Sequence, residues 1–212
     1  MTMSPTAAWA ELQAGNERFV RGEMAHPSQD VDHRASLSAA QNPFAVVFGC
    51  SDSRVAAEIV FDRGLGDLFV VRTAGHVIDT TVLGSVEYGV QVLGTPLVLV
   101  LGHDSCGAVA AAADALTTGT MPEGFVRAVV DRVIPSIVAL PTPGSGEPPA
   151  MTGRPVEPAA LGREHVRHTV RMLLSYSATI REGVEAGRCA VVGATYALAE
   201  GRVRVVEAAG LA

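Results

Sequence analysis

Two apolar segments of strand length, each ending in a glycine, constrain the fold of this chain more than any other feature. Residues 44–49 read Phe-Ala-Val-Val-Phe-Gly, and residues 97–102 read Leu-Val-Leu-Val-Leu-Gly. Their continuous apolar character indicates strands that are buried on both faces, which is typical of a parallel sheet covered by helices. The sequence therefore predicts an α/β fold with these two strands in a mostly parallel central sheet.

Helical and strand patterns alternate along the rest of the chain. Further strands are predicted over residues 68–72, 189–198 and 202–208, and helices over residues 5–22, 80–93, 106–117, 122–140 and 161–186, the fourth of these with an interruption at Pro135. The dipeptide Glu200-Gly201 between the last two strands favours a hairpin, and so an antiparallel strand at one edge near the C-terminus. The first helix precedes every strand. Residues 1–43 are therefore expected to form an N-terminal helical arm whose apolar face contacts the domain surface or another subunit.

Length and composition limit the domain organisation and the partners. The chain has 212 residues, of which 48% are hydrophobic, which suits a single domain over residues 1–212. Residues 141–158 are rich in Pro and Gly and are expected to form a loop. A net charge of −6 without a block of basic residues argues against nucleic acid as a partner. No apolar run approaches the roughly 18 residues of a membrane span, and the first nine residues do not resemble a secretory signal, so we expect a cytoplasmic protein.

Side chains that can bind a metal follow both buried strands. Cys50 and Asp52 come after the first strand, and His103 and Cys106 come after the second. Because ligands bind at the carboxyl ends of the strands in open α/β sheets, we expect these four side chains to lie close together. Thiolate, imidazole and carboxylate are the ligand types of zinc. The sequence therefore predicts a zinc site with Cys50, His103 and Cys106 as ligands, and with either Asp52 or water in the fourth position.

Arg54 offers Asp52 an alternative partner, because a bidentate arginine–carboxylate pair is a strong way to satisfy a buried acid. If Arg54 holds Asp52, a water can reach the metal, which lowers the pKa of that water to about 7. Asp52 can then accept a hydrogen bond from the resulting hydroxide and orient it. If Asp52 binds the metal instead, the site is closed. The two residues are therefore expected to gate the metal.

The other cysteine and several histidines carry weaker predictions. Three cysteines, an odd number, argue against a disulfide framework. Cys189 lies in an apolar strand and is expected to be a core residue. His165 and His168 lie among the arginines of a long predicted helix and are expected to face solvent or an interface. His76 follows the end of a predicted strand. The sequence allows two interpretations for it, a solvated loop residue or a residue that supports the metal site.

The two polar segments resemble the paired signature of the β-class carbonic anhydrases. These segments are Cys-Ser-Asp-Ser-Arg at residues 50–54 and Gly-His-Asp-Ser-Cys-Gly at residues 102–107. The resemblance covers most of the chain, and the overall pattern is most similar to the actinobacterial members. It implies a zinc lyase (carbonate dehydratase) with one zinc ion per subunit. The implied reaction is the reversible hydration of carbon dioxide to bicarbonate and a proton by attack of zinc-bound hydroxide.

The resemblance also implies a role for individual residues. Cys50, His103 and Cys106 match the zinc ligands of the family. Asp52 and Arg54 match its catalytic dyad, with Asp52 as the fourth ligand in the closed state.

The same resemblance implies an assembly, either a homodimer or a dimer of dimers. The substrate cleft of the family lies at a dimer interface, and the first helix embraces the partner subunit. By position, Gln41 matches the residue that hydrogen-bonds substrate from one subunit. Phe69 and Tyr88 match the apolar and aromatic wall from the other.

Two segments depart from the family pattern. Residues 72–76 read Arg-Thr-Ala-Gly-His, where many members have Arg-Asn followed by Ala-Asn, and this difference concerns the rim of the cleft and the proton exit. One subgroup has a tryptophan, three residues before the first cysteine, in an inhibitory bicarbonate site. Val47 stands there in this chain, so that site is expected to be absent or altered, although Arg72 matches its arginine.

Three other functions compete with this interpretation. A cysteine-dependent phosphatase or sulfurtransferase would use Cys50 as nucleophile, but the loop to Arg54 is short, it contains a carboxylate, and His103 and Cys106 would be unexplained. The same fold and zinc site could hydrolyse carbonyl sulfide or carbon disulfide. A non-catalytic, zinc-stabilised binding protein would keep Asp52 on the metal permanently, but it would not need Arg54 beside that carboxylate.

Overall fold

A five-stranded sheet forms the centre of the computed structural model, which describes residues 3–139 and 156–211. Its strands are β1 (Ala45–Cys50), β2 (Leu68–Thr73), β3 (Leu97–His103), β4 (Ala190–Ala197) and β5 (Arg202–Ala209). The spatial order is β2-β1-β3-β4-β5. All neighbours are parallel except β4 and β5, which are antiparallel. The predicted α/β class, with a mostly parallel sheet and an antiparallel edge strand, is confirmed.

Helices cover both faces of the sheet. They are α1 (Pro5–Arg21), α2 (Val31–Ser36), α3 (Ala57–Val60), α4 (Thr80–Glu87), α5 (Gly107–Thr118), α6 (Val126–Val133), α7 (Pro158–Tyr176) and α8 (Ala178–Glu185). Residues of β1 alternate between the two faces: Val47 packs with α1 and α3, whereas Val46 and Phe48 pack with α4, α7 and α8. A third apolar cluster joins α5 and α6 beside Cys50 and Cys106. Among the helices of residues 3–139 and 156–211, none combines the length and apolar character that crossing a bilayer requires.

The helix predicted over residues 161–186 is wrong as a single element. Two helices, α7 and α8, meet at Ser177, whose backbone is extended, with φ −100° and ψ 108°. The Ser177 hydroxyl accepts from the backbone N–H of Ile180, which caps α8, and donates to Glu87 at 2.5 Å. Glu87 is distant from Ser177 in the sequence. The hydrophobic periodicity of residues 161–186 therefore could not predict that the helix is interrupted at Ser177.

Three further boundaries differ from the predictions. The helix expected to run to residue 93 changes after Glu87 to a π-helical segment, Tyr88–Val92. The helix predicted over residues 122–140 starts only at Val126, and it becomes a 3₁₀ segment, Ile134–Ala139, at the interruption predicted for Pro135. Of the loop predicted over residues 141–158, residues 141–155 lie outside the described residues, and Pro158 already begins α7.

The apolar face of α1 is covered within the chain. Trp9 and Leu12 pack in the same cluster as side chains of β1, β3 and β4. Asn16 is buried beside them, and its side-chain amide donates to the carbonyl oxygens of Val60 at 3.1 Å and Gly201 at 2.8 Å. The apolar face of this helix therefore contacts the surface of its own domain, and contact of the helix with a partner subunit stays a prediction.

Close packing of α1 gives a test of this arrangement. A Cβ atom on Gly15 would lie 1.8 Å from the carbonyl oxygen of Phe61, whereas one on Gly84 in α4 would meet nothing within 4 Å. Gly84→Ala should raise the free energy of unfolding by up to about 1 kcal/mol, because alanine favours helix. Gly15→Ala should lower it by about 1–3 kcal/mol, because the methyl group displaces backbone. Urea unfolding measures both, and equal effects would contradict the packing of α1.

Candidate active site

The carboxyl ends of β1 and β3 bring three metal-competent side chains together. Cys50 is the last residue of β1, His103 is the last residue of β3, and Cys106 precedes α5. Their potential ligand atoms all lie within 4.8 Å of one another, and the two sulfurs are 4.0 Å apart. All three residues are buried. A left-handed turn at Ser105, with φ 52°, redirects the chain between His103 and Cys106 so that both side chains face one point.

The tautomer of His103 suits a metal. Its Nδ1 lies 2.7 Å from the carbonyl oxygen of Asp104, which can only accept, so Nδ1 carries the proton. Its Nε2 is buried and has no hydrogen-bond partner within residues 3–139 and 156–211. A lone pair on this nitrogen therefore faces the two sulfurs, and an imidazole anchored through its other nitrogen is the usual form of a metal-binding histidine. The donor set fits a zinc ion.

The two thiols shift each other's ionisation. The hydrogen bond from the Cys106 thiol lowers the pKa of Cys50 well below its usual range, and the backbone N–H groups of Asp52 and Gly75 contribute in the same direction. The same contact with Cys50, together with burial, raises the pKa of Cys106. The pair therefore holds a thiolate at Cys50 at neutral pH, and the thiolate is the form in which cysteine binds metals.

Asp52 and Arg54 form a bidentate ion pair beside this cluster. Arg54 donates from Nε to Asp52 Oδ1 at 2.9 Å and from Nη2 to Oδ2 at 2.8 Å, and its backbone N–H also donates to Oδ1. The Asp52 Oδ2 atom lies 3.8 Å from His103 Nε2. The hydrogen bonds from Arg54 hold the pKa of Asp52 well below its usual range. Asp52 is thus a carboxylate next to the cluster, with both oxygens bound by Arg54.

Arg72 stabilises the backbone that carries these residues. Its Nε donates to the carbonyl oxygen of Cys50 at 2.8 Å, and its Nη2 donates to that of Asp52 at 2.6 Å. The side chain therefore ties the end of β2 to the loop after β1. The expected absence or alteration of an inhibitory bicarbonate site stays a prediction.

Comparisons with known proteins agree with this geometry. A family model described as carbonic anhydrase matches residues 45–203. Carbonic anhydrase 2 of Mycobacterium tuberculosis is 55% identical over 199 residues, which cover 94% of this chain and 91% of that protein. The carbonic anhydrase of Mycolicibacterium smegmatis is 55% identical over 208 residues, which cover 95% and 93%. A β-carbonic anhydrase structure from Sordaria macrospora, one of two described as tetrameric, has a TM-score of 0.66 at 20% identity over 81% of this chain and 84% of that chain.

This chain belongs to the β-class carbonic anhydrases. The resemblance read from residues 50–54 and 102–107 is confirmed, including its likeness to actinobacterial members. The expectation that the protein is a lyase of this family is confirmed with it.

The three residues assigned to substrate group around Tyr88 in this β-carbonic anhydrase chain. The rings of Phe69 and Tyr88 are 6.0 Å apart, and Gln41 and Tyr88 line one surface depression. Phe69 pairs with Val46, four residues before Cys50 along β1, which corresponds to about 13 Å of strand. Phe69 therefore lies away from the metal-competent cluster of its own chain. Their division between two subunits stays a prediction.

The prediction that His165 of this β-carbonic anhydrase faces solvent or an interface is wrong, because the residue is 2% exposed and both of its ring nitrogens have partners within the chain. It lies four residues after Leu161 and four before Thr169, both buried on the inner face of α7. Helical periodicity was therefore the signal that could have placed it inside. His168 is half-buried, which is consistent with its predicted position on a face of the helix that meets solvent or an interface.

Both His76 and Cys189 are buried within the domain. His76 is buried, and its ring centroid lies 4.4 Å from that of His165, so it is not a solvated loop residue. Cys189 is 1% exposed in the core, as predicted.

Proposed function

We propose that this protein catalyses the reversible hydration of carbon dioxide to bicarbonate and a proton, using one zinc ion per subunit held by Cys50, His103 and Cys106. The observation that supports this most is the convergence of two sulfurs and one imidazole lone pair at the ends of β1 and β3. A zinc ion bound there supplies Lewis acidity that brings the pKa of a coordinated water to about 7.

Asp52 acts in this proposal as the acceptor that orients the reacting water, and Arg54 keeps the carboxylate away from the fourth metal position. Support comes from the bidentate pair, which binds both oxygens of Asp52. The low pKa of Asp52 keeps it an acceptor at neutral pH. Its Oδ2 is 3.8 Å from His103 Nε2, so a small rotation away from Arg54 would bring it to the metal and close the site. The two residues would thus gate the metal.

Stopped-flow measurement of carbon dioxide hydration tests the proposal. The zinc-loaded protein, followed from neutral into alkaline pH, should be active already at neutral pH because Arg54 holds Asp52. Activity that appears only as the pH rises would contradict the open arrangement and place Asp52 on the metal at neutral pH. A folded, zinc-loaded protein without activity at any pH would overturn the proposed function, and carbonyl sulfide and carbon disulfide would be the next substrates to test.

We further propose that the active form is a homodimer or a dimer of dimers and that residues 1–212 form one domain. Phe69 lies about 13 Å along the strands from Cys50, with the ring of Tyr88 beside it, which supports a neighbouring subunit as their place of action. Packing of α1 on the same sheet as β5 supports a single domain. Analytical ultracentrifugation tests the assembly, and a monomer with full activity would contradict it. The cytoplasmic location expected from the sequence stays a prediction.

A further inference from the structure

The loop after β2 is hydrogen-bonded to Cys50 on one side and to the buried His165 on the other. The backbone N–H of Gly75 donates to Cys50 Sγ at 3.2 Å, and the carbonyl oxygen of Gly75 accepts from His165 Nε2 at 2.9 Å. Gly75 has φ 64°, and a Cβ atom there would lie 2.7 Å from the Cβ of Ala108. This glycine therefore fits where a side chain would not, and both of its backbone polar groups are used. It lies within residues 72–76, where the chain departs from the more common family pattern.

His165 is held in one defined orientation. Because a carbonyl oxygen can only accept, Nε2 carries the proton, and Nδ1 accepts from the Ser136 hydroxyl at 2.8 Å. Ser136 is 0% exposed, and burial lowers the pKa of His165 to about 4, so the ring is neutral at neutral pH. Both ring nitrogens are thus satisfied. A buried imidazole with both nitrogens bound has little freedom to rotate.

We propose that Ser136 and His165 are positioning residues for the metal centre, because they hold the Gly75 loop so that its N–H donates to Cys50 Sγ. The inference rests on the proposed function only in requiring that Cys50 binds a metal. A hydrogen bond to a metal-bound thiolate withdraws charge from the sulfur and fixes its direction. Loss of such a supporting contact typically weakens metal affinity on the order of 10-fold to 100-fold.

A purely structural role is the competing explanation, since His165 also packs against His76 in the interior. The two explanations predict different effects on the sulfur atom of Cys50. If His165 only fills space, an apolar residue of similar volume should leave the metal centre unchanged. If His165 positions Gly75, the same replacement should alter both the zinc affinity and the electronic environment of the Cys50 thiolate.

The full-length protein, loaded with zinc or with cobalt, allows this test. We expect His165→Leu to weaken zinc binding on the order of 10-fold to 100-fold in competition with a chelator. Its thiolate-to-cobalt charge-transfer band should move to longer wavelength, because the sulfur is no longer stabilised by the N–H. His165→Gln carries an amide N–H that can replace the Nε2 proton, so it should move both readouts back towards the wild-type values. The matched control His168→Leu, one turn further along α7, should leave both unchanged.

A folded His165→Leu protein with wild-type zinc affinity and an unshifted cobalt band would overturn the inference. If His165→Leu does not fold, Ser136→Ala removes only the hydroxyl that orients His165, and an unchanged band in that variant would also overturn it. Neither readout depends on turnover. A wild-type protein that fails to hydrate carbon dioxide while its cobalt band responds to His165 would contradict the proposed function and support this inference.

Discussion

Replacing Cys106 with alanine is expected to weaken zinc binding on the order of 100-fold to 1,000-fold and to abolish carbon dioxide hydration when zinc is limiting. Four-ligand zinc sites bind with an apparent free energy of about 10–16 kcal/mol, and a quarter of that corresponds to this loss. The sulfur of Cys106 is also the partner 4.0 Å from Cys50, so its removal affects two ligands at once. Competition with a chelator and stopped-flow assays at matched zinc concentrations measure both effects.

Cys189 offers a matched control for this substitution. It is as deeply buried as Cys106, immediately before β4, but it lies outside the metal-competent cluster formed by Cys50, His103 and Cys106. Cys189→Ala should keep the zinc affinity and activity of the wild type, with only a modest loss of stability from the small cavity. If both alanine variants bound zinc equally well, the assignment of Cys106 as a ligand would be wrong.

Asp52→Asn is expected to lower the rate of carbon dioxide hydration on the order of 100-fold or more while leaving the fold and the bound zinc in place. Asparagine has nearly the same shape as aspartate, but its amide nitrogen donates where a carboxylate oxygen accepts, and it lacks the charge that pairs with Arg54. The variant therefore loses one acceptor for the reacting water and the bidentate hold of Arg54. Stopped-flow kinetics with zinc quantified in the same sample measures the effect.

Asp114→Asn supplies the same change of charge at an exposed position on α5 and should leave the rate unaltered. Unchanged activity in Asp52→Asn would contradict the role given to this carboxylate. Loss of activity with zinc and fold retained would instead exclude a non-catalytic, zinc-stabilised binding protein. In such a protein Asp52 would be a fourth structural ligand, and its replacement would primarily weaken zinc binding.

Local sequence was sufficient to predict the strands of the sheet and the composition of the candidate site, although not the spatial order of the strands. Residues 44–49 and 97–102 are apolar throughout, as expected of short strands that are buried on both faces. The structure has β1 and β3 at these positions. Parallel strands end at the same edge, so Cys50 and His103 had to meet there once the strands were neighbours. Cys106 follows His103 by three residues, so one turn was enough to bring it alongside. The resemblance to β-carbonic anhydrases rested on these same short segments.

Only the tertiary structure decided which residues support that site and which state its carboxylate adopts. His165 is 90 residues from Gly75, and Ser177 is 90 residues from Glu87, yet each pair is joined by a hydrogen bond. The choice of Asp52 between Arg54 and the metal position likewise depends on where β1 and β3 place their loops. These contacts depend on how the helices pack on the sheet. Their partners are far apart in the chain, so no local periodicity or spacing encodes them.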